Sequence, residues 1–144
     1  MSNSINHIDP LWLENAYKYF QKFLPLSVEE MEGLLPYCEF RKFDKKAIIV
    51  NEGEVDDYLN MVVQGLVIKY IRVKKNEVIL QMATEGHVIH SELSYFTRTA
   101  STVVLQALEP VILISISHTN MNAALDKIET KSAQDNYKKS KITL

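Results

Sequence analysis

Residues 85–102 form a polar stretch between two blocks of strand-like sequence, and they hold the side chains that could do chemistry. Gly86 opens the stretch, and its polar members include His87, His90, Ser91, Glu92, Arg98, Thr99, Ser101 and Thr102. An arginine can hold an anion through paired charge-assisted hydrogen bonds, and a glutamate can accept a hydrogen bond from a ligand hydroxyl. The stretch therefore predicts a binding loop for a small anion, with a metal site as the alternative.

The metal alternative needs at least three ligands that converge on one point. Alternation along an extended segment puts His90 and Glu92 on one face and His87 on the other, so we expect polar loop residues and no metal. The sequence has no nucleophile elbow, phosphate-binding glycine loop, dinucleotide-binding glycine pattern or HExxH pair. We therefore expect no catalytic residue and no enzyme activity. A cupin-like metal-dependent enzyme using these three side chains is the alternative.

The elements that must position this stretch are short strands. From Glu39 onward apolar residues alternate with period 2, and turn signals interrupt them at residues 44–46, 51–54, 64–65, 74–76 and 85–86. This spacing is typical of an antiparallel sandwich or barrel. Segments 66–73 and 77–82 predict one hairpin, and segments 103–108 and 111–116 predict a second. The second pair is so apolar that we expect both of its faces to be covered.

Helices are predicted on both sides of the strands. Asp9 and Pro10 are a cap and a first-turn proline, and Ser27 with Glu30 is a capping-box pattern for a second, short helix. His118 and Thr119 are predicted to cap a closing helix. Apolar residues at helical spacing form the inner stripes of the first and last helices: Leu13, Ala16, Tyr17, Phe20 and Leu24, ended by Pro25, and Met121, Ala124, Leu125 and Ile128.

The composition fits one small domain. The chain has 144 residues, of which 47% are hydrophobic, and a net charge of -2, which disfavours binding to nucleic acid or to an anionic membrane. The single cysteine, Cys38, excludes an internal disulfide and fits a reducing compartment. There is no membrane-length apolar run and no leader-like N-terminus, so we expect a cytoplasmic protein. We expect a folded domain over residues 1–130 and a polar, locally basic tail over residues 131–144.

Residues 48–67 carry a more specific pattern: an apolar strand, a Gly53-Glu54 turn, a second apolar strand, and Gly65 before the next strand. This resembles the cyclic-nucleotide-binding domain of the Crp/Fnr family of bacterial transcription regulators, and the likeness extends over roughly residues 11–128. The resemblance implies a mostly β fold with flanking helices: a double-stranded β-helix, or jelly-roll-like β-roll, with N-terminal helices and a closing C-terminal helix. It also implies positive φ at Gly53 and Gly65.

The resemblance identifies residues 85–102 as a degenerate phosphate-binding cassette. In the family, a cassette arginine and helix N–H groups hold the cyclic phosphate, and a glutamate binds the ribose hydroxyl. Here His87 replaces the family's acid, and counting back from residues 106–108 puts Ser101 and Thr102 where the arginine should be, with Arg98 about one turn early. The resemblance implies a ligand site made of Gly86, His90, Ser91, Glu92, Leu93, Arg98, Thr99, Ser101 and Thr102.

We therefore expect a ligand-sensing regulatory domain, acting in transcriptional regulation or signalling, with weak or no cAMP binding. A lost guanidinium should cost ~2 kcal/mol or more of binding free energy. A cyclic nucleotide or another small anion is the expected ligand class, with no resident cofactor and no membrane contact.

The family's closing helix continues into a dimer helix and a winged helix-turn-helix, whereas this sequence stops at Leu144, so we expect no DNA contact from it. The alternative is the N-terminal sensor part of a full DNA-binding regulator. The apolar stripe of the last helix could pack against a second copy of the chain in a homodimer, or it could close the roll. The helix has barely three turns, which favours closing the roll.

Overall fold

The computed structural model describes residues 3–23 and 26–127, apart from the side chain of Phe23. Across these residues, eight antiparallel strands form two four-stranded sheets, ordered β1-β8-β3-β6 and β2-β7-β4-β5. The strands are β1 (Cys38–Phe43), β2 (Ile48–Val50), β3 (Tyr58–Gln64), β4 (Val67–Val73), β5 (Asn76–Ala83), β6 (Val88–Ile89), β7 (Val104–Ala107) and β8 (Val111–Ser117). The predicted mostly β fold with a roll of antiparallel strands is confirmed. The predictions for Leu24, Pro25, Ile128 and the tail 131–144 lie outside the described residues.

Helices α1 (Pro10–Phe23) and α2 (Val28–Leu34), with a 3-10 turn at Leu35–Tyr37, precede the strands. Asp9 Oδ1 accepts the N–H of Leu11 at 2.9 Å, and Ser27 and Glu30 form both bonds of the predicted capping box. Helix α3 (Glu92–Thr97) lies between β6 and β7, and residues 118–127 form α4. The predicted cap of α4 was wrong by one residue: Ser117 Oγ accepts the N–H of Asn120 at 3.1 Å, as an N-cap hydroxyl does.

One of the two predicted hairpins exists. Strands β4 and β5 pair from Val67↔Ala83 to Val73↔Asn76. The second hairpin was wrong, because β7 pairs with β2 and β4 whereas β8 pairs with β1 and β3, so residues 108–110 carry the chain from one sheet to the other. An almost wholly apolar strand has no polar face to specify its register or partner, so the sequence pattern could not separate a hairpin from a crossover.

The sheet that contains β8 is covered on both faces, as expected for so apolar a strand. Val111 and Leu113 point into the core between the two sheets, whereas Ile112 and Ile114 pack on the opposite face, beside Ala16 of α1. These four β8 side chains are at most 5% exposed. The roll therefore has an interior between its sheets and a second apolar layer under the helices.

Glycines allow the tight turns between strands. Gly53 has φ 85° and Gly65 has φ 101°, which confirms the predicted positive values. At Gly65 a Cβ atom would also lie 2.5 Å from the carbonyl oxygen of Pro110, so no other residue fits there without moving the crossover between the sheets.

Candidate ligand-binding site

Asp56, in the loop before β3, fixes the start of helix α3. Its buried carboxylate accepts the N–H of Ser91 at 2.7 Å and that of Tyr58 at 3.1 Å, and its own N–H donates to Ser94 Oγ at 2.8 Å. Burial raises the pKa of Asp56, and the two backbone hydrogen bonds partly offset that effect. A carboxylate at a helix N-terminus also interacts favourably with the helix dipole. One N–H group at the start of the cassette helix is thus occupied by a carboxylate of the chain itself.

Arg98 follows α3 as its C-cap residue, in the left-handed conformation at φ 59°. Its guanidinium donates to the carbonyl oxygens of Asp56 at 3.0 Å and Tyr95 at 3.2 Å, and it forms an ion pair with the carboxylate of Asp57. The side chain is 37% exposed and that of Asp57 is 65% exposed. Arg98 therefore connects the end of α3 to the loop before β3 at the protein surface.

Ser101 is the buried residue of the segment after α3. Its hydroxyl lies 2.8 Å from that of Ser91 and donates to the carbonyl of Val103 at 2.7 Å. Thr102 is exposed, and Thr99 is exposed with its carbonyl accepting the hydroxyl proton of Ser94 at 2.6 Å. The two positions aligned with the family's arginine therefore offer one buried hydroxyl and one surface hydroxyl, with no cation.

A buried cation that the sequence analysis missed lies on β4. Lys69 is 6% exposed, and its Nζ donates to Glu92 Oε1 at 2.9 Å. It lies on the same side of the strand as Val67, which packs in the core between the sheets. Burial alone would raise the pKa of Glu92, but the hydrogen bond and charge of Lys69 outweigh it, and the pKa is held below its usual value. A single lysine in the apolar run 66–71 was the signal that could have identified it.

His90 is buried rather than available to a ligand. It is 6% exposed, and its ring meets the edges of Tyr95 and Phe96, with centroid distances of 5.4 Å and 5.7 Å. Within the described residues its Nδ1 atom has no hydrogen-bond partner. Burial lowers the pKa of His90, with the charge of Glu92 opposing that shift and the charge of Lys69 adding to it.

Two predicted site residues lie away from this cluster. The side chain of Leu93 is 69% exposed. Gly86 has φ 87°, and a Cβ atom there would lie 2.9 Å from Cδ1 of Tyr19 on α1. The positive φ and the close contact with Tyr19 both favour glycine here, so Gly86 has a structural role in packing the loop against α1.

The three side chains of the metal alternative do not converge. His87 Nδ1 accepts the N–H of Thr84 at 3.1 Å, Glu92 pairs with Lys69, and His90 is packed among aromatic rings. In the described ranges 3–23 and 26–127, no group of three or more His, Cys, Asp or Glu side chains is placed to hold a metal ion. The geometry gives the cupin-like alternative no support.

A second buried cation lies on the facing sheet. Arg41 on β1 is 8% exposed, its Nη1 donates to Asn60 Oδ1 at 3.3 Å, and its guanidinium carbon lies 3.9 Å from the ring centroid of Tyr58. Ser115 donates to the same Asn60 oxygen at 2.7 Å. Burial lowers the pKa of Arg41, and the nearby charges of Tyr58, Glu39 and Asp56 oppose that shift. The sequence analysis missed this cluster as well, because Arg41 belongs to an otherwise ordinary alternating strand.

Two facing antiparallel sheets, a short cassette helix after a glycine turn, and helices at both ends define a β-roll domain. The chain belongs to the cyclic nucleotide-binding domain family, whose family model matches residues 40–127. The predicted relationship is thereby confirmed for the family and the fold. No curated protein sequence matches the chain. None of the helices in the described residues is long and apolar enough to cross a membrane.

Solved structures show the same fold at low sequence identity. Thermus thermophilus catabolite activator protein is 17% identical with a TM-score of 0.68, and the match covers 83% of this chain and 59% of that one. The sensor domain of the transcriptional regulator DNR from Pseudomonas aeruginosa is 21% identical with a TM-score of 0.67, covering 92% and 90%. The regulatory domain of Toxoplasma gondii PKA, solved with cAMP, is 16% identical with a TM-score of 0.71, covering 94% and 54%. The chain thus spans little more than half of the first and third structures.

Proposed function

We propose that this chain is a ligand-sensing regulatory domain whose cassette binds cAMP and cGMP weakly or not at all. The observation that carries the proposal is that Glu92 and Arg98, the two charged residues of the predicted ligand site, are paired within the chain. Glu92, which the family resemblance would place on the ribose, is bound by Lys69, and Arg98 is bound by Asp57. Arg98 would have to give up an existing partner to hold a cyclic phosphate through its paired N–H groups, and Glu92, which is 61% exposed, would have to share its carboxylate with Lys69.

If a ligand drew Glu92 away from Lys69, the ammonium group of Lys69 would lose its carboxylate partner. Breaking a pair that includes a buried charge is strongly destabilising, because the remaining charge stays out of water without a partner. Lys69 has only 7% of its side chain exposed, so it has little water to replace Glu92. Arg98 would have to leave two backbone carbonyls as well as Asp57. Both costs would be subtracted from the free energy of binding a cyclic nucleotide.

Isothermal titration calorimetry with cAMP and cGMP, up to millimolar ligand, tests this proposal. We expect no saturable heat in the wild-type chain and none in Arg98→Ala, while circular dichroism confirms that both are folded. Micromolar affinity in the wild type that disappears in Arg98→Ala would refute the proposal, because it would show that Arg98 leaves Asp57 to bind the phosphate.

Lys69 favours a second ligand class, a small anion without a ribose. Such an anion would compete with Glu92 for the ammonium group of Lys69 and would not require Arg98. Titration with inorganic phosphate and with acetate, followed by NMR of the backbone amides, should show saturable shifts near Ser91 and Glu92 that Lys69→Met removes. The matched control is Arg72→Met, which removes a partly exposed cation from the same strand. Equal shifts in Lys69→Met and the wild type would exclude Lys69 as the anion-binding group.

We also propose a regulatory rather than an enzymatic role. Two of the similar structures are transcriptional regulators or activators by name, and the third is a kinase regulatory domain, so this fold serves regulation in each. A transcription factor with this chain as its N-terminal sensor part is the specific alternative. The genomic sequence downstream of the codon for Leu144 tests it, since an in-frame winged helix would establish a DNA-binding regulator and a stop codon would exclude one.

A further inference from the structure

A cavity of about 240 Å³ lies away from the cassette, on the outer face of the sheet formed by β1, β8, β3 and β6. Helices α1, α2 and α4 cover it. Representative lining residues are Phe20 on α1, Met31 on α2, Met61 on β3, Ile114 on β8, and Met121 and Ala124 on α4. Met61 and Ile114 belong to the layer under the helices, not to the core between the sheets, so this space is separate from the interior of the roll.

Among the residues that the structure describes, the lining offers no charged side chain to a ligand. The hydroxyl of Ser115 donates a hydrogen bond to Asn60. The thiol of Cys38 donates to the carbonyl oxygen of Leu34, with 3.6 Å between sulfur and oxygen. Burial raises the pKa of Cys38 to about 11, so the thiol is neutral at physiological pH. Burial and the charge of Glu32 raise the pKa of Tyr17, so its phenol is neutral too. A charged ligand would therefore lose its hydration in this space without gaining a charged partner.

The cavity volume is large compared with the space that packed side chains of the described residues usually leave. Natural interiors contain few voids larger than a water molecule, and an unfilled void costs stability in proportion to its size. An apolar cavity of about 150 Å³ already binds benzene, while water does not fill such a space because it finds no hydrogen-bond partners there. The larger cavity here, of about 240 Å³, has room for a substituted aromatic ring or a short alkyl chain.

We propose that this cavity is a binding site for a small uncharged apolar molecule. Because Met121, Ala124 and Leu125 of α4 line it, a bound molecule contacts the closing helix and the β-sheet at once. Occupancy therefore stabilises one position of α4 against the roll. This inference does not depend on the cassette, and failure of either proposal leaves the other standing.

The methionines provide the experiment. Met31, Met61 and Met121 line the cavity, whereas Met82 lies on β5 with 56% of its side chain exposed. In the full chain labelled with ¹³C at the methionine methyl groups, saturating p-xylene should shift the three lining signals and leave the Met82 signal in place. The matched charged ligand is p-toluate, which has a similar shape and should give no saturable shift. No response of the lining methionines, or an equal response at Met82, would overturn the proposal.

Two neighbouring alanines give a matched pair of variants. Ala124 is 3% exposed and lines the cavity, whereas Ala123 on the same helix is exposed. Ala124→Phe should fill the space and weaken p-xylene binding at least about tenfold, while Ala123→Phe should bind as the wild type does. Cys38→Leu is a second cavity-filling variant if Ala124→Phe does not fold. Undiminished p-xylene binding in a folded cavity-filling variant would contradict the assignment.

Discussion

The cassette and the cavity differ in how their lining groups are satisfied. Around the cassette, the charged groups Asp56, Lys69, Glu92 and Arg98 all have partners within the chain. The cavity under the helices is lined mainly by apolar side chains, and the few polar groups that the structure describes there are neutral. A polar site whose groups already bind each other must break or share those hydrogen bonds to accept a ligand, whereas an apolar cavity gains contacts with any ligand of the right size. We therefore expect the recognisable cassette to be the poorer ligand site of the two.

The largest effect should come from removing the carboxylate that organises the cassette. Asp56→Ala would leave the N–H groups of Ser91 and Tyr58 without their acceptor, so we expect the free energy of unfolding to fall by about 3 kcal/mol in urea denaturation. Asp57→Ala is the matched control, because the neighbouring carboxylate is 65% exposed and an exposed ion pair contributes under about 1 kcal/mol. Equal losses in the two variants would show that Asp56 does not organise the cassette.

The next effect tests the cavity side. Met61 is 1% exposed and lines the cavity, so Met61→Ala should enlarge the cavity and lower the free energy of unfolding by about 2 kcal/mol. Met82→Ala removes the same atoms from a side chain that is 56% exposed and should change stability by less than about 0.5 kcal/mol. Saturating p-xylene should restore part of the loss in Met61→Ala. A loss that p-xylene leaves unchanged would place Met61 outside the ligand site.

The sequence predicted what depends on local pattern and on turn chemistry. Capping at Ser27 and positive φ at Gly65 are such features, since one residue type at one position decides each. The partner of β8 was not predictable in this way, because five of its seven residues are apolar and they lie on both faces of the strand. The partners of Lys69 and Asp56 depend on which segments meet, and the cavity depends on the fit of side chains from three helices and a sheet. Whether residues 85–102 can bind a ligand therefore depends on side-chain pairing and packing across the fold.

A smaller effect tests whether Lys69 holds Glu92. In Lys69→Met the carboxylate loses the cation that lowers its pKa, so the Glu92 pKa should rise in an NMR titration. A lowered folded-state pKa stabilises the fold above the unfolded-state pKa, and this contribution is lost as pH falls through the folded-state pKa. That acid-side loss should therefore be weaker in Lys69→Met. Arg72→Met should leave the Glu92 titration unchanged, and an unchanged titration in Lys69→Met would exclude the pair in solution.

The smallest effect concerns His90, whose pKa is lowered mainly by burial. Its folded-state pKa lies below the usual value near 6.5, so the unfolded chain binds more protons as pH falls through that value, and the folded state loses stability. His90→Phe keeps a ring against Tyr95 and Phe96 but cannot be protonated. Its stability relative to the wild type should therefore increase from about pH 7 to about pH 5 in urea denaturation. His90→Leu should show the same trend, because the trend depends on losing the titrating group and not on ring shape. Parallel pH profiles for the wild type and both variants would contradict the lowered pKa of His90 and would mean that its ring is hydrated in solution.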